Sequence, residues 1–193
     1  MRKLNRNIIF LALYGLWILF VVNVLTGCQT PKSAATPMEQ QELAQMLEDQ
    51  SFYFEAQWAM PLQTQALTAL HAAGMFRPGS SVSRININKD GHFLQLEGGK
   101  AKANLPYYGQ RDTYTDYAHS RDWIEFDTDA TDYELQQDSD SRVYDLDLNA
   151  KRRSETFQFN LRVFPNRRTI VTVFSSQRDI IRYEGFLKPL PEQ

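Results

Sequence analysis

The chain is poor in the residues that most often carry chemistry. Of 193 residues, one is cysteine, Cys28, and three are histidine, His71, His92 and His119. A single cysteine excludes an internal disulfide, so stability has to come from packing. The histidines are too widely spaced for a zinc-binding pair, and each is read as a surface or loop residue, with no metal site. There is no Gly-x-Ser-x-Gly elbow, no glycine-rich nucleotide loop and no internal repeat, so no cofactor is implied. Carboxylates are too many to mark a catalytic pair, and a hydrolytic enzyme is the least supported class. Asp127-Thr128-Asp129-Ala130-Thr131-Asp132 has the look of a calcium loop. An EF-hand would need glycine where Asp132 stands and glutamate where Asp138 stands, so these read as acidic turn residues between strands. Positive charge is scarce too. The formal net charge is −2, and Arg2, Lys3 and Arg6 supply three of the 21 basic residues. Without those three, 18 basic face 23 acidic residues. No basic stripe is present, which argues against nucleic acid.

Long hydrophobic runs are confined to one place. Behind Arg2, Lys3 and Arg6 comes an apolar stretch from Ile8 to Val24, then Leu25-Thr26-Gly27-Cys28. Positive flank, apolar helix and small-residue cleavage site are the three parts of a secretory signal. The last four residues resemble a lipobox, in which the cysteine thiol receives diacylglycerol before cleavage. An uncleaved membrane anchor is the alternative, since the run is near the lower length for a spanning helix. The expectation is lipidation at Cys28, with residues 1–27 as signal and 28–36 as a flexible lipidated tether. Two or three acyl chains hold a protein at a bilayer where one does not. Gln29 is not the aspartate that retains lipoproteins at the inner membrane of Gram-negative bacteria, so the outer membrane, periplasmic face, is the expected location.

The body of the chain reads as helix, then strands. Thr36-Pro37-Met38-Glu39 has the form of a capping box, and Leu43, Met46 and Leu47 fall on one face, giving a helix over 37–50. From Ser51 the hydrophobic period becomes two. Phe52 to Pro61, Ile85 and Ile87, Phe93 to Glu97, Ala101 to Leu105, Trp123 to Asp127, Tyr133 to Gln137, Val143 to Asn149, Phe157 to Val163, Thr169 to Ser175 and Ile180 to Gly185 all read as strands. Lys89-Asp90-Gly91 and Gly98-Gly99 read as hairpin turns, with further turns at Asp138-Ser139-Asp140-Ser141 and Pro165-Asn166. Gln65 to Ala73 reads as a short helix or a helical connection. The fold class is therefore all-β: about ten antiparallel strands in a flattened barrel or sandwich over residues 51–187, with a tail at 188–193.

Phe52-Tyr53-Phe54-Glu55-Ala56, Leu105-Pro106-Tyr107-Tyr108-Gly109, Trp123-Ile124-Glu125-Phe126, Phe157-Gln158-Phe159-Asn160-Leu161 and Arg178-Asp179-Ile180-Ile181-Arg182-Tyr183-Glu184-Gly185 resemble successive blocks of one family. It is the set of bacterial lipoproteins catalogued as domain of unknown function 4251. The resemblance runs from about Ser51 to Leu187 and is most specific at Leu105–Gly109. It implies a lipid-anchored, lipocalin-like barrel and no established activity. The chain departs from the family pattern at Gln110, where arginine is usual, and at Leu62–Ser81, which is longer and more helical.

The segment from Pro106 to Trp123 is rich in tyrosine, which offers stiff contact area with a polar tip, and long loops of this kind carry recognition surfaces. Arg111, Tyr114, Tyr117 and His119 are the candidate binding residues, while Tyr107 and Tyr108 are expected to plug the barrel end. Lys151, Arg152 and Arg153 with Arg167 and Arg168 form either a basic barrel end or charged hairpin turns. The favoured function is a lipid-anchored module, held to the membrane through Cys28, that binds a small apolar ligand or an envelope protein. A structural or assembly component of the envelope is the alternative.

Overall fold

The computed structural model describes residues 36–110 and 123–191. Residues 1–35, on which the expected signal and tether with Cys28 fall, and Arg111, Tyr114, Tyr117 and His119 lie outside the described residues.

Helix α1 (Pro37–Glu48) starts at a formed capping box: Thr36 Oγ1 accepts from the Glu39 N–H at 3.3 Å, and the Thr36 N–H donates back to the Glu39 carboxylate at 2.7 Å. Proline at the first helical position costs nothing, because its missing N–H would have no partner there. Helix α2 (Gln65–Ala72) is an ordered helix capped by Thr64. The strands are β1 (Ser51–Pro61), β2 (Ile85–Asn86), β3 (Phe93–Glu97), β4 (Lys100–Pro106), β5 (Trp123–Gln137), β6 (Tyr144–Arg152), β7 (Glu155–Val163), β8 (Arg168–Ser175) and β9 (Ile181–Lys188). Their order is β2-β1-β3-β4-β5-β6-β7-β8-β9, all antiparallel, and β1 also pairs with β9. That last pairing closes eight strands into a barrel, with β2 as an extra strand on β1. The fold is a barrel and not an open sandwich.

Three expectations are corrected. Among the described residues the count is nine strands, because Trp123–Asp127 and Tyr133–Gln137 are one strand: a bulge between Thr131 and Glu134, with Asp132 at φ 54°, carries the chain through. Its first part pairs with β4 and its second with β6, so Asp127–Asp132 lies within a strand and is not a turn. Secondly, Lys89-Asp90-Gly91 does not join hairpin partners. β2 and β3 both pair with β1, at Ala59–Ile85 and Glu55–Phe93, so they are one broken strand with an outward excursion. The Ile87 N–H to Gln57 C=O and Ala56 N–H to His92 C=O bonds continue the ladder on both sides of the break. Thirdly, Lys151–Arg153 and Arg167–Arg168 sit at opposite ends of β7, so no single basic end exists. The Gly98-Gly99 and Asp138–Ser141 turns form where the sequence places them.

Alternate residues of each strand fill the interior. Phe52, Phe54, Phe157, Phe159 and Tyr183 are fully buried, and Phe126 packs on Phe157 and Phe159 with ring centroids 5.6 and 5.7 Å apart. Small residues opposite them, Ala101, Ala103 and Ala150, leave room for the rings. α1 buries Leu43, Met46 and Leu47 at the lower end. There Tyr133 donates to the Leu47 carbonyl, Arg142 to Gln40 at 2.8 Å and Arg167 to Glu42 at 2.7 Å.

Closure depends on Gly185. It faces Ala56 across a β1 bulge, and an added methyl group would overlap the Glu55 carbonyl and crowd the Phe54 ring. Gly185→Ala should therefore lower the thermal midpoint, since overpacking of this kind costs ~1–3 kcal/mol. A midpoint equal to that of the unaltered domain would show that β1 and β9 are not held this close.

Candidate functional site

The upper end of the barrel, opposite α1, carries the feet of the Pro106–Trp123 connection. Pro106 pairs with Trp123 across β4 and β5. Both Tyr107 and Tyr108 pack inward, but unequally. Tyr107 is 3% exposed, and its hydroxyl donates to the Gln110 carbonyl at 2.7 Å and lies 3.2 Å from that of Asp179. Gly109 permits this fold-back, because a side chain there would collide with the Tyr107 hydroxyl. Tyr108 is half-buried, and burial raises its pKa, with Asp90 adding to the rise and Arg77 opposing it. Only the main chain of Gln110 is used here, also accepting from the Asp179 N–H at 3.3 Å. An arginine at that position would need no difference in backbone path.

Next to Tyr107 is a buried ion pair. Arg178 donates to Glu155 from Nε at 2.6 Å and Nη2 at 3.1 Å, and from Nη1 to the Trp123 carbonyl at 3.2 Å. The Ser175 hydroxyl donates to the same carboxylate at 2.6 Å, and the guanidinium stands 5.1 Å from the Tyr107 ring centroid. Burying both charges is compensated only when geometry and extra hydrogen bonds are good, as they are here. The pair joins β7, the β8–β9 connection, the start of β5 and Tyr107. Tyr183, wholly buried, donates to the Pro106 carbonyl at 2.8 Å, and burial holds its hydroxyl protonated well above the ordinary range.

His92 is the second feature missed by sequence, which reads it as a surface or loop residue. It is 6% exposed, its ring lies 5.1 Å from that of Trp123, and its Nδ1 has no hydrogen-bond partner. Its Nε2 is 3.8 Å from Asp90, which Arg77 holds bidentately at 2.7 and 2.9 Å. Burial lowers the imidazole pKa, Asp90 and the Asn104 backbone oppose that, and Arg77 adds to it. Neither the Arg178–Glu155 pair nor buried His92 stands out in sequence, because Glu155 and Trp123, which bury them, are distant along the chain. Among the described residues no group of three or more His, Cys, Asp or Glu is arranged to hold a metal. The described residues at this end form a set of clamps holding the two feet of the connection.

Closed antiparallel barrel with a helix-capped lower end and a clamped upper end is the class this geometry defines. The model of the family described as domain of unknown function DUF4251 matches residues 34–187, and the chain belongs to that family. It is similar to the crystal structure of a DUF4251 family protein from Bacteroides eggerthii DSM 20697, at 14% identity and a TM-score of 0.55, over 79% of this chain and 88% of that one. That likeness supports the fold alone. No curated protein matches the chain.

The depressed His92 pKa has a consequence for stability. The unfolded chain binds the proton more readily, so stability is full above about pH 6.5, the ordinary histidine value, and falls as pH drops below it. His92→Phe should remove that part of the decline in thermal midpoint between pH 7 and pH 5.5. A variant with the same slope as the unaltered protein would place the titrating group elsewhere.

Proposed function

We propose that the chain is a lipid-anchored envelope lipoprotein whose barrel is a binding module, offering its upper end to an envelope protein. One observation carries the reading. The described domain begins at Thr36 and α1 is fixed at the lower end, so the feet of the Pro106–Trp123 connection lie at the end opposite α1. A module held at a membrane through Cys28 would project that end outward. Clamped feet favour recognition, since a loop on rigid supports loses less entropy on binding. In this reading the fold is not used as a lipocalin-like cup, because Phe52, Phe54, Phe126, Phe157, Phe159 and Tyr183 occupy the interior. Arg111, Tyr114, Tyr117 and His119 are the proposed contact residues, and the outer membrane, periplasmic face, is the proposed location.

The test has two arms on the full-length protein in its own cells. Cys28→Ser should leave the precursor uncut and unlabelled by a radioactive fatty acid, and persistent labelling would refute lipidation. Replacing Tyr114 and Tyr117 by alanine should keep the label and the melting temperature yet weaken recovery of the partner, as loss of aromatic anchors does at interfaces. Early melting with normal recovery would mean that the loop is core and that the contacts lie elsewhere.

A further inference from the structure

The outer wall formed by β8, β9 and β1 departs from the polar exterior of a barrel. Strand register sets its outward residues in rows. Val173 pairs with Ile181 and Ile181 with Pro61, so Phe174, Ile180 and Leu62 follow together at the upper rim. They are 38%, 41% and 52% exposed. Below them lie Thr172, Arg182 and Met60, then Ile170, Glu184 and Trp58, then Arg168, Phe186 and Glu55. Among the described residues, four of the seven exposed large hydrophobic side chains, Leu62, Phe174, Ile180 and Phe186, belong to this one wall. Single exposed apolar residues need no explanation, but neighbouring ones on three adjacent strands mark an interaction surface.

The same wall has a surplus of positive charge. Glu184 is shared by Arg84 at 2.9 Å and Arg168 at 3.3 Å, and Arg84 also lies over the Trp58 ring at 4.2 Å. Arg182 is exposed and has no partner among the described residues. Three guanidinium groups therefore face Glu184, while the wall's other carboxylate, Glu55, is engaged by Lys188 at 2.7 Å. A trough of about 540 Å³ runs along the rows past Met60, Ile170, Thr172, Arg182 and Glu184 towards β6. There its other carboxylates, Asp145 and Asp147, are engaged by Arg162 and Asn160. The trough is too open to enclose a small ligand, which is typically ~70–90% buried in its site. Aromatic, methionine and arginine side chains together are the composition of protein interfaces.

We infer that this wall is a docking surface for a protein segment bearing acidic and large apolar side chains, the carboxylates meeting Arg182 and the apolar groups meeting Phe174, Ile180 and Leu62. The inference rests on the binding-module reading but not on the Tyr114–Tyr117 loop. The test is photo-crosslinking in the native cells, with benzoylphenylalanine at position 174 of the full-length protein and, as control, at exposed Lys102 on β4. Position 174 should give an adduct whose linked peptide, sequenced by mass spectrometry, combines acidic and apolar residues. Arg182→Glu should reduce that adduct roughly tenfold or more, as reversal of an interfacial charge does, without lowering the melting temperature. An adduct to lipid, an adduct to a second copy of the chain, equal labelling from position 102, or indifference to Arg182→Glu would each overturn the inference. Absence of an adduct while the loop variant still loses its partner would overturn the wall and spare the module. Absence of both would overturn the module as well.

Discussion

The β1–β9 ladder is the contact on which the rest of the architecture depends. It runs from Tyr53–Lys188 to Pro61–Ile181 and joins the first strand of the barrel to the last. An open sheet of these strands would leave two long edges, the usual route to aggregation, and closure removes them. Closure also lets one interior serve every strand, which matters in a chain that has no disulfide to draw on. Gly185 and the neighbouring β1 bulge let the two strands meet around Phe54, so backbone space, rather than a side-chain contact, sets the seam. Two of the blocks that resemble the family, around Phe52–Ala56 and Arg178–Gly185, are the two sides of this seam.

The two ends of the barrel are finished by different physics. The lower end is covered by the apolar face of α1 and latched by exposed ion pairs and hydrogen bonds that are individually weak. At the upper end, polar groups are buried: Arg178 and Glu155 neutralise each other, and the remaining donors reach Trp123 and, through Ser175, the same carboxylate. Such a pair adds little net stability against an apolar substitute, but its geometry admits one arrangement of the four segments it joins. The Leu105–Gly109 block gains its physical meaning there. Pro106 supplies a carbonyl to Tyr183, Tyr107 fills the end, and Gly109 leaves room for the Tyr107 hydroxyl.

Much of this was legible in the residues. Period-two patterns in β1, β3, β4 and β7 are strong because each strand has one buried and one solvated face, and Gly98-Gly99 marks its turn by backbone freedom that other residues lack. The all-β class follows from those patterns, which leave barrel and sandwich open; the β1–β9 pairing decides for the barrel. β5 was split in the sequence reading because its outward positions are Asp127, Asp129 and Asp132, and acidic residues favour turns. In the fold Asp127 and Asp129 face water from an extended chain, while Asp132 sits in the bulge. β2 and β3 were read as a hairpin because a turn signature reports local bending and says nothing of the strand between. At the candidate site, Tyr107 was legible as a plug from its place at a strand end. Its tie to Asp179, the Arg178–Glu155 pair and the burial of His92 against Trp123 were not, since they join segments that are far apart in sequence and meet only in the folded sheet. Arg111, Tyr114, Tyr117 and His119 rest on sequence reasoning alone.

Native-state amide hydrogen exchange, followed residue by residue on the domain beginning at Thr36, tests the central claim most directly. In a barrel closed by β1 and β9, the ladder amides of Met60 and Arg182, which face each other across the seam, should exchange as slowly as those in the middle of β7, through global unfolding. The Asp179 amide, bonded to the Gln110 carbonyl, should be protected relative to Met75 and Ser80 in the connection after α2. If β1 and β9 amides instead exchange early while β6 to β8 stay protected, the sheet opens at that seam and the account of a closed, rigid support is wrong.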